Sequence, residues 1–170
     1  MEVTVALTED EVRRCAYLAV ERWTAKLEST DKESYAIGRQ NGLLEHDLVN
    51  AIRANVTEWA VAKFYALPWN GGFTYPNSEH PRRKYLPDVG NNIEVRCRRT
   101  QDDFPMWDYD TKKDGIIVAT EVVDDATFRE VRIFGWLYMN DCAKPEWWYS
   151  PMKRYYIPVK EFNSPESLPQ

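Results

Sequence analysis

The spacing of the apolar residues changes once along this chain, and the change limits what it can fold into. Up to about residue 66 they recur with a helical period; further on they fall into alternating or short continuous runs that suit strands. Val12, Cys15, Ala16, Ala19, Trp23 and Leu27 mark an amphipathic helix over about 9–29. In front of it, Thr8-Glu-Asp-Glu11 has the form of a capping box, with acids suited to the positive helix end. A second helix is expected over about 45–66, with Leu48, Ile52, Val56, Trp59 and Lys63 along one side. Its adjacent stripe holds Ala51, Ala54, Glu58, Ala62 and Tyr65. Leu67-Pro-Trp-Asn-Gly-Gly72 ends it, because proline and paired glycines cannot continue a helix.

Residues 30–44 read as a polar connection and 70–85 as a loop or short hairpin. Ile116–Thr120 is a short apolar run suited to a buried strand, and Glu130–Leu137 is another strand. Asp102–Asp114 and Asp141–Lys153 read as irregular, aromatic connections. Tyr155–Val159 is a last extended piece, which Pro158 places at a sheet edge or beyond it. The tail, Asn163–Gln170, is expected to be a surface strap. Helices followed by strands predict an α+β fold with a mixed central sheet flanked by helices. At 170 residues the chain is expected to form a single domain over 1–170, with the sheet core in about 85–160.

Three widely spaced cysteines, with no paired Cys or Cys/His cluster, suggest neither a disulfide framework nor a zinc site. The first residues lack the pattern of a signal peptide, and a reducing cytoplasm is the natural expectation. A net charge of −5 argues against a protein that coats nucleic acid by bulk attraction. Local basic groups remain in Arg82-Arg83-Lys84, Arg96, Arg98-Arg99 and Lys112-Lys113; the last pair, beside Asp110 and Asp114, reads as a solvated face. Glu21 and Arg22 read as surface charges and His80 as an exposed loop residue. No phosphate-binding glycine loop, HExxH or nucleophile elbow is present.

The chemistry concentrates in Leu86–Gln101. Gly90-Asn91-Asn92 forms a tight turn in which Gly and Asn supply positive φ angles. Beyond it Ile93, Val95 and Cys97 alternate with Glu94, Arg96 and Arg98 on the opposite face of a strand. Asp88 lies just across the turn, so two carboxylates and a guanidinium gather on the polar side. Asp88 and Glu94, with the Val95 carbonyl, suit a hard cation such as Mg²⁺, with Mn²⁺ as a substitute. Arg96 would stabilise charge on a phosphate, and it cannot act as a base because it stays protonated. Arg98 shares the Glu94 face and is a candidate phosphate contact, together with Arg82, Arg83 and Lys84. Gln101 is a weaker candidate for positioning water, and Arg99 is expected to face solvent.

Pro87-Asp88, then Glu94-Val-Arg96, preceded by the helix Thr57-Glu58-Trp-Ala-Val-Ala-Lys63, resembles the PD-(D/E)XK (restriction-endonuclease-like) nucleases. The order of elements over about 45–160, including Val131–Trp136 and a Tyr-Ile-Pro ending, is similar to small phage and bacterial members. The resemblance implies a three-layer fold and Mg²⁺-dependent hydrolysis of DNA phosphodiester bonds, endo- or exonucleolytic. It implies Asp88 and Glu94 as the metal-binding acids and Glu58 as the helix-borne acid. Arg96 stands where the family usually has Lys. Two rival readings stay open: a catalytically silent module of the same fold that binds nucleic acid or a protein, motivated by Arg96 and by Trp147-Trp148-Tyr149, and a homodimeric interaction protein with aromatic contacts.

Overall fold

The computed structural model of the chain describes residues 2–28, 44–72, 86–98 and 103–169. Two α-helices, α1 (Glu9–Glu28) and α2 (Leu44–Tyr65), match the periodic segments to within a residue at each end. The strands are β1 (Val3–Ala6), β2 (Ile93–Arg98), β3 (Phe104–Trp107), β4 (Ile116–Val122), β5 (Glu130–Tyr138), β6 (Trp148–Tyr149) and β7 (Arg154–Ile157). One sheet has four strands in the order β1-β5-β4-β2, and a smaller one has three in the order β3-β7-β6. The larger sheet is mixed, since β2 and β4 run parallel while β4/β5 and β1/β5 are antiparallel. The fold is α+β.

Alternation along β2 and β4 creates two cores. Ile93, Val95, Ile116 and Val118 turn towards Val56, Ala60 and Val61 of α2. On the other face Ile117, Ala119, Phe134 and Leu137 meet Phe104, Met106 and Ile157 of the small sheet. With both faces covered, Ile116–Thr120 is buried throughout, the property its apolar run predicts. The expected arrangement of helices flanking the sheet is corrected in one respect. Among the described residues the helices cover one face, and the opposite face is covered by β3, β6 and β7.

β3 and β6 lie in stretches expected to be irregular, while β7 falls largely within the expected extended piece Tyr155–Val159. Pro105 argues against a strand within Phe104–Trp107, yet β3 is an edge strand of its sheet, where a missing N–H is tolerated. Pro158 falls just beyond Ile157, so β7 can be the middle strand of the small sheet rather than an edge. The tail does form a strap: Asn163 exchanges backbone hydrogen bonds with Trp136 at 3.0 and 3.2 Å. Trp136 Nε1 also donates to Ser167 Oγ, and Tyr65 OH to the Pro165 carbonyl. Gly135, beside the register shift of β4 and β5, lets the strap approach; any Cβ there would run into the Asn163 carbonyl.

The capping box at Thr8 is formed and carries a second load. The Thr8 N–H donates to Glu11 Oε2 at 2.7 Å and the Glu11 N–H to Thr8 Oγ1 at 3.2 Å. Glu11 also accepts from Trp59 Nε1 at 3.2 Å and Lys63 Nζ at 2.9 Å, which ties the start of α1 to α2. Burial alone would raise this carboxyl; the bonds from Thr8, Lys63 and Trp59 outweigh it and bring it from 4.5 down to about 2. A carboxylate that ionises more readily when folded favours the fold above pH 4.5 and loses that effect as pH falls towards 2. Glu11→Gln is therefore expected to cost about 1–3 kcal/mol at pH 7 and almost nothing below about pH 2. Urea denaturation of both proteins at several pH values reads this out, and equal midpoints at pH 7 contradict it.

Candidate active site

α2 stops where Ala66 takes a left-handed conformation (φ 53°) and the Leu67 N–H reaches back to the Ala62 carbonyl at 3.0 Å. The segment that follows does more than end the helix. The Asn70 N–H donates to the Asp88 carbonyl at 3.0 Å and the Gly90 N–H to the Pro68 carbonyl at 2.8 Å. The Asn70 side-chain amide donates to the carbonyls of Pro87 and Gly90 at 2.9 and 2.7 Å. Trp69 pairs with Val89 across a backbone bridge. The turn that carries Asp88 is thus fastened to the C-terminal end of the helix that carries Glu58.

Val89 and Ile93 exchange backbone hydrogen bonds at 3.1 and 3.2 Å and close the turn around Gly90-Asn91-Asn92. Gly90 alone in that turn has a positive φ, 58°; Asn91 and Asn92 do not, contrary to the expectation for them. The turn delivers the chain into β2, the outer strand of the four-stranded sheet, with β4 on one side only. Side chains satisfy the Val95 backbone at the open edge. Asp88 Oδ2 accepts the Val95 N–H at 2.8 Å, and the Val95 carbonyl accepts from Arg96 Nη1 at 3.1 Å.

Glu58 approaches the same edge from the helix side. Its Oε2 accepts from Trp69 Nε1 at 2.9 Å and lies 4.0 Å from Arg22 Nη1. Gly71 makes room for it, since a Cβ there would sit 2.6 Å from Glu58 Oε2. Burial pushes Glu58 well above the usual carboxylate range; nearby Asp88 and Glu94 push the same way, while Arg22 and Trp69 oppose them. Asp88 is also raised by burial, against the Val95 N–H and the charges of Arg96, Arg22 and Lys113. Glu94 is raised by burial and by Asp88, with Arg96 and Lys113 opposing. Burial thus raises all three carboxylates, and the charge of Asp88 adds to the rise at Glu58 and Glu94.

Arg96 is turned into this cluster. It contacts Glu94 Oε2 at 3.4 Å and donates to Asp110 Oδ2 at 3.1 Å. Asp110 is buried, and Lys113 Nζ pairs with its Oδ1 at 2.6 Å. The solvated-face expectation holds for Lys112, which pairs with Asp108, and is corrected for Lys113. Lys113 and Glu94 line a cavity of about 320 Å³, walled also by Pro87, Asn91, Asn92 and Met139. Burial would lower the Lys113 amine, but Asp110 and Glu94 raise it, so it stays protonated at neutral pH.

Asp88 contacts Val95, Arg96 contacts Val95 and Glu94, and Glu58 lies within electrostatic reach of Asp88 and Glu94. Arg98, read as a phosphate contact, is engaged away from these residues. Its Nε donates to Glu121 at 2.9 Å and its guanidinium lies 4.3 Å from the Phe134 ring, within the packing of the second core. Arg82, Arg83, Lys84, His80, Arg99 and Gln101 lie outside the described residues. Arg22, Asn70, Asp110 and Lys113 were not singled out for this site by sequence. Arg22 is corrected from a surface charge: it donates to Asn55 Oδ1 at 2.7 Å and faces Glu58.

Among the described residues, no three His, Cys, Asp or Glu side chains stand close enough together to hold a metal ion as placed. No protein-family model matches the chain, and neither a curated protein nor a solved structure matches it.

Because burial and its neighbours raise Glu58, the fold loses stability as pH rises from 4.5 through the value Glu58 has in the folded state. Glu58→Gln keeps an acceptor for Trp69 and removes the charge. It is expected to raise stability at pH 7 by at least about 1 kcal/mol, with the difference vanishing below about pH 4. Thermal unfolding at both pH values measures this, and a destabilised variant at pH 7 contradicts it.

Proposed function

We propose that this chain is a metal-dependent nuclease of the PD-(D/E)XK type that hydrolyses DNA phosphodiester bonds. The observation that carries the reading is the pair of acids Asp88 and Glu94 beside the Val95 backbone at the open edge of β2, with Glu58 within electrostatic reach. Carboxylates whose ionisation burial disfavours gain most from a cation placed beside them. The order of a Glu-bearing helix, an Asp-turn-Glu unit and a parallel neighbouring strand supports the restriction-endonuclease-like form of the fold.

The donor set suits Mg²⁺ or Mn²⁺, since Asp88, Glu94 and the Val95 carbonyl are hard oxygen ligands. When bound, such an ion supplies a more acidic water and neutralises charge at the phosphate. Arg96 competes for two of these donors, so its guanidinium must leave the Val95 carbonyl and Glu94 for them to serve. Freed from them, and still held by Asp110, it can donate to a phosphate oxygen and stabilise charge as it develops. Lys113, kept protonated by Asp110 and Glu94, is a second phosphate ligand and not a base. The amine that the family pattern expects two residues after Glu94 is thus offered from the Asp110 turn.

The engagement of Arg96 also favours a second reading, a catalytically silent module in which Arg96 is the permanent counter-cation of Glu94. Cleavage of plasmid and single-stranded DNA with Mg²⁺ or Mn²⁺ separates the two. The nuclease reading expects cutting that falls at least about 100-fold in Asp88→Ala and Glu94→Ala, more than the loss of an outer-shell partner. Equal cutting by all three proteins sinks it, and no cutting together with no calorimetric signal for Mn²⁺ favours the silent module.

A further inference from the structure

The small sheet turns one face to its core and the other to solvent, and the solvent face is largely aromatic. Phe104, Met106 and Ile157 point inward and are buried. In register across the three strands, Trp107 pairs with Arg154 and Arg154 with Tyr149, so these three form one row on the outward face. Pro105 and Tyr156, also paired in register, extend the same face by one more row. Tyr149 is 49% exposed and Trp107 37%. The sequence had marked Trp147-Trp148-Tyr149 as one aromatic segment, but its members divide, with Trp147 buried and Tyr149 outward.

This face continues to the acidic site. The Arg154 guanidinium lies 3.9 Å from the Trp107 ring centre. Tyr109, 61% exposed, lies nearly parallel to Trp107, with ring centres 6.1 Å apart and planes 11° from parallel. Lys113 Nζ is 5.8 Å from the Tyr109 ring and belongs to the cavity it shares with Glu94. The result is an ordered series of cation, ring, ring and cation, with Tyr149 beside its outer end and the cavity at its inner end.

We propose that this face binds single-stranded nucleic acid and leads it to the Asp88–Glu94 edge. Bases stack on Tyr109 and Tyr149, on either side of the Trp107–Arg154 pair, and Arg154 and Lys113 hold the phosphates. The proposal rests on the nuclease reading for the identity of its ligand as nucleic acid. Rings already fixed by their neighbours lose little freedom on stacking, and stacking is indifferent to sequence because every base has a flat face. A duplex cannot use the platform, since its bases are stacked on one another. A chain of net charge −5 supplies no bulk attraction for phosphates, so contact with the rings has to carry the affinity. Adjacent rings bracketed by cations fit a strand of bases and phosphates better than they fit an apolar protein surface.

Fluorescence anisotropy of a labelled oligothymidylate, with metal-free protein in a chelator so that nothing is cut, tests this directly. The oligothymidylate is expected to bind at least about tenfold more tightly than a duplex of the same length, with a shallow dependence on salt. Tyr109→Ala and Tyr149→Ala are each expected to weaken it about 5- to 100-fold, while Tyr149→Phe stays within about twofold of the wild type. Circular dichroism identifies any variant that fails to fold, and the Phe variant then carries the comparison against Tyr149→Ser. Equal affinity for duplex, or unchanged affinity in both folded Ala variants, overturns the platform. So does a dimer in sedimentation that Tyr149→Ala dissociates without any oligonucleotide binding. Loss of the nuclease reading looks different: the Tyr variants lose oligonucleotide binding as expected, yet no DNA is cut with Mg²⁺ or Mn²⁺.

Discussion

The Val95 backbone at the open edge of β2 sets the terms for everything around it. A buried edge strand leaves an N–H and a carbonyl that water cannot reach freely, and each must find a partner. Asp88 takes the N–H and Arg96 takes the carbonyl. Asp88 can do so only because Asn70 fastens its turn to the end of α2, and that same fastening places it near Glu58. A structural need and an accumulation of negative charge thus meet at one residue. Arg96, Arg22 and Lys113 offset the charge in part, yet burial, joined at Glu58 and Glu94 by the charge of Asp88, still holds all three acids above the usual carboxylate range.

The two sheets divide the work in the proposed mechanism. The four-stranded sheet, gripped by α2 on one face and by the small sheet on the other, is a rigid base for the acids. The small sheet faces solvent with aromatic rings and arginine instead of the usual polar residues. The turn Asp108–Lys113 joins the two, because Asp110 holds Arg96 and Lys113 while Tyr109 stacks on Trp107. An acidic protein can hold a polyanion in this way, through a few local cations and stacked rings, without a basic surface.

Much of the fold was legible because its signals are local. The helical period placed α1 and α2, the Thr8–Glu11 box marked where α1 begins, and apolar runs located β4 and β5. β1 escaped because in Val3–Ala6 only Val5 is buried, which is too little to show a period. β3 escaped because Pro105 points away from strand, and only its edge position excuses it. The site divides along the same line. Asp88, Glu94 and Arg96 could be read from a turn and an alternating strand, and Glu58 from a family pattern. Arg22 and Asn70 depend on which elements touch. Asp110 and Lys113 look like an ordinary surface pair three residues apart until Arg96 shows that Asp110 is buried. The pairing of Arg98 with Glu121 was not legible, because the face it shares with Glu94 is, further along the strand, covered by the second core.

The central claim is that the edge of β2 is a cation site held closed by Arg96. A crystal soaked in Mn²⁺ and examined by anomalous scattering tests it most directly. The account predicts a peak in contact with the Asp88 and Glu94 carboxylates, with the Arg96 guanidinium withdrawn from the Val95 carbonyl. No peak at that edge, with Arg96 still bonded to Val95 and Glu94, would contradict it.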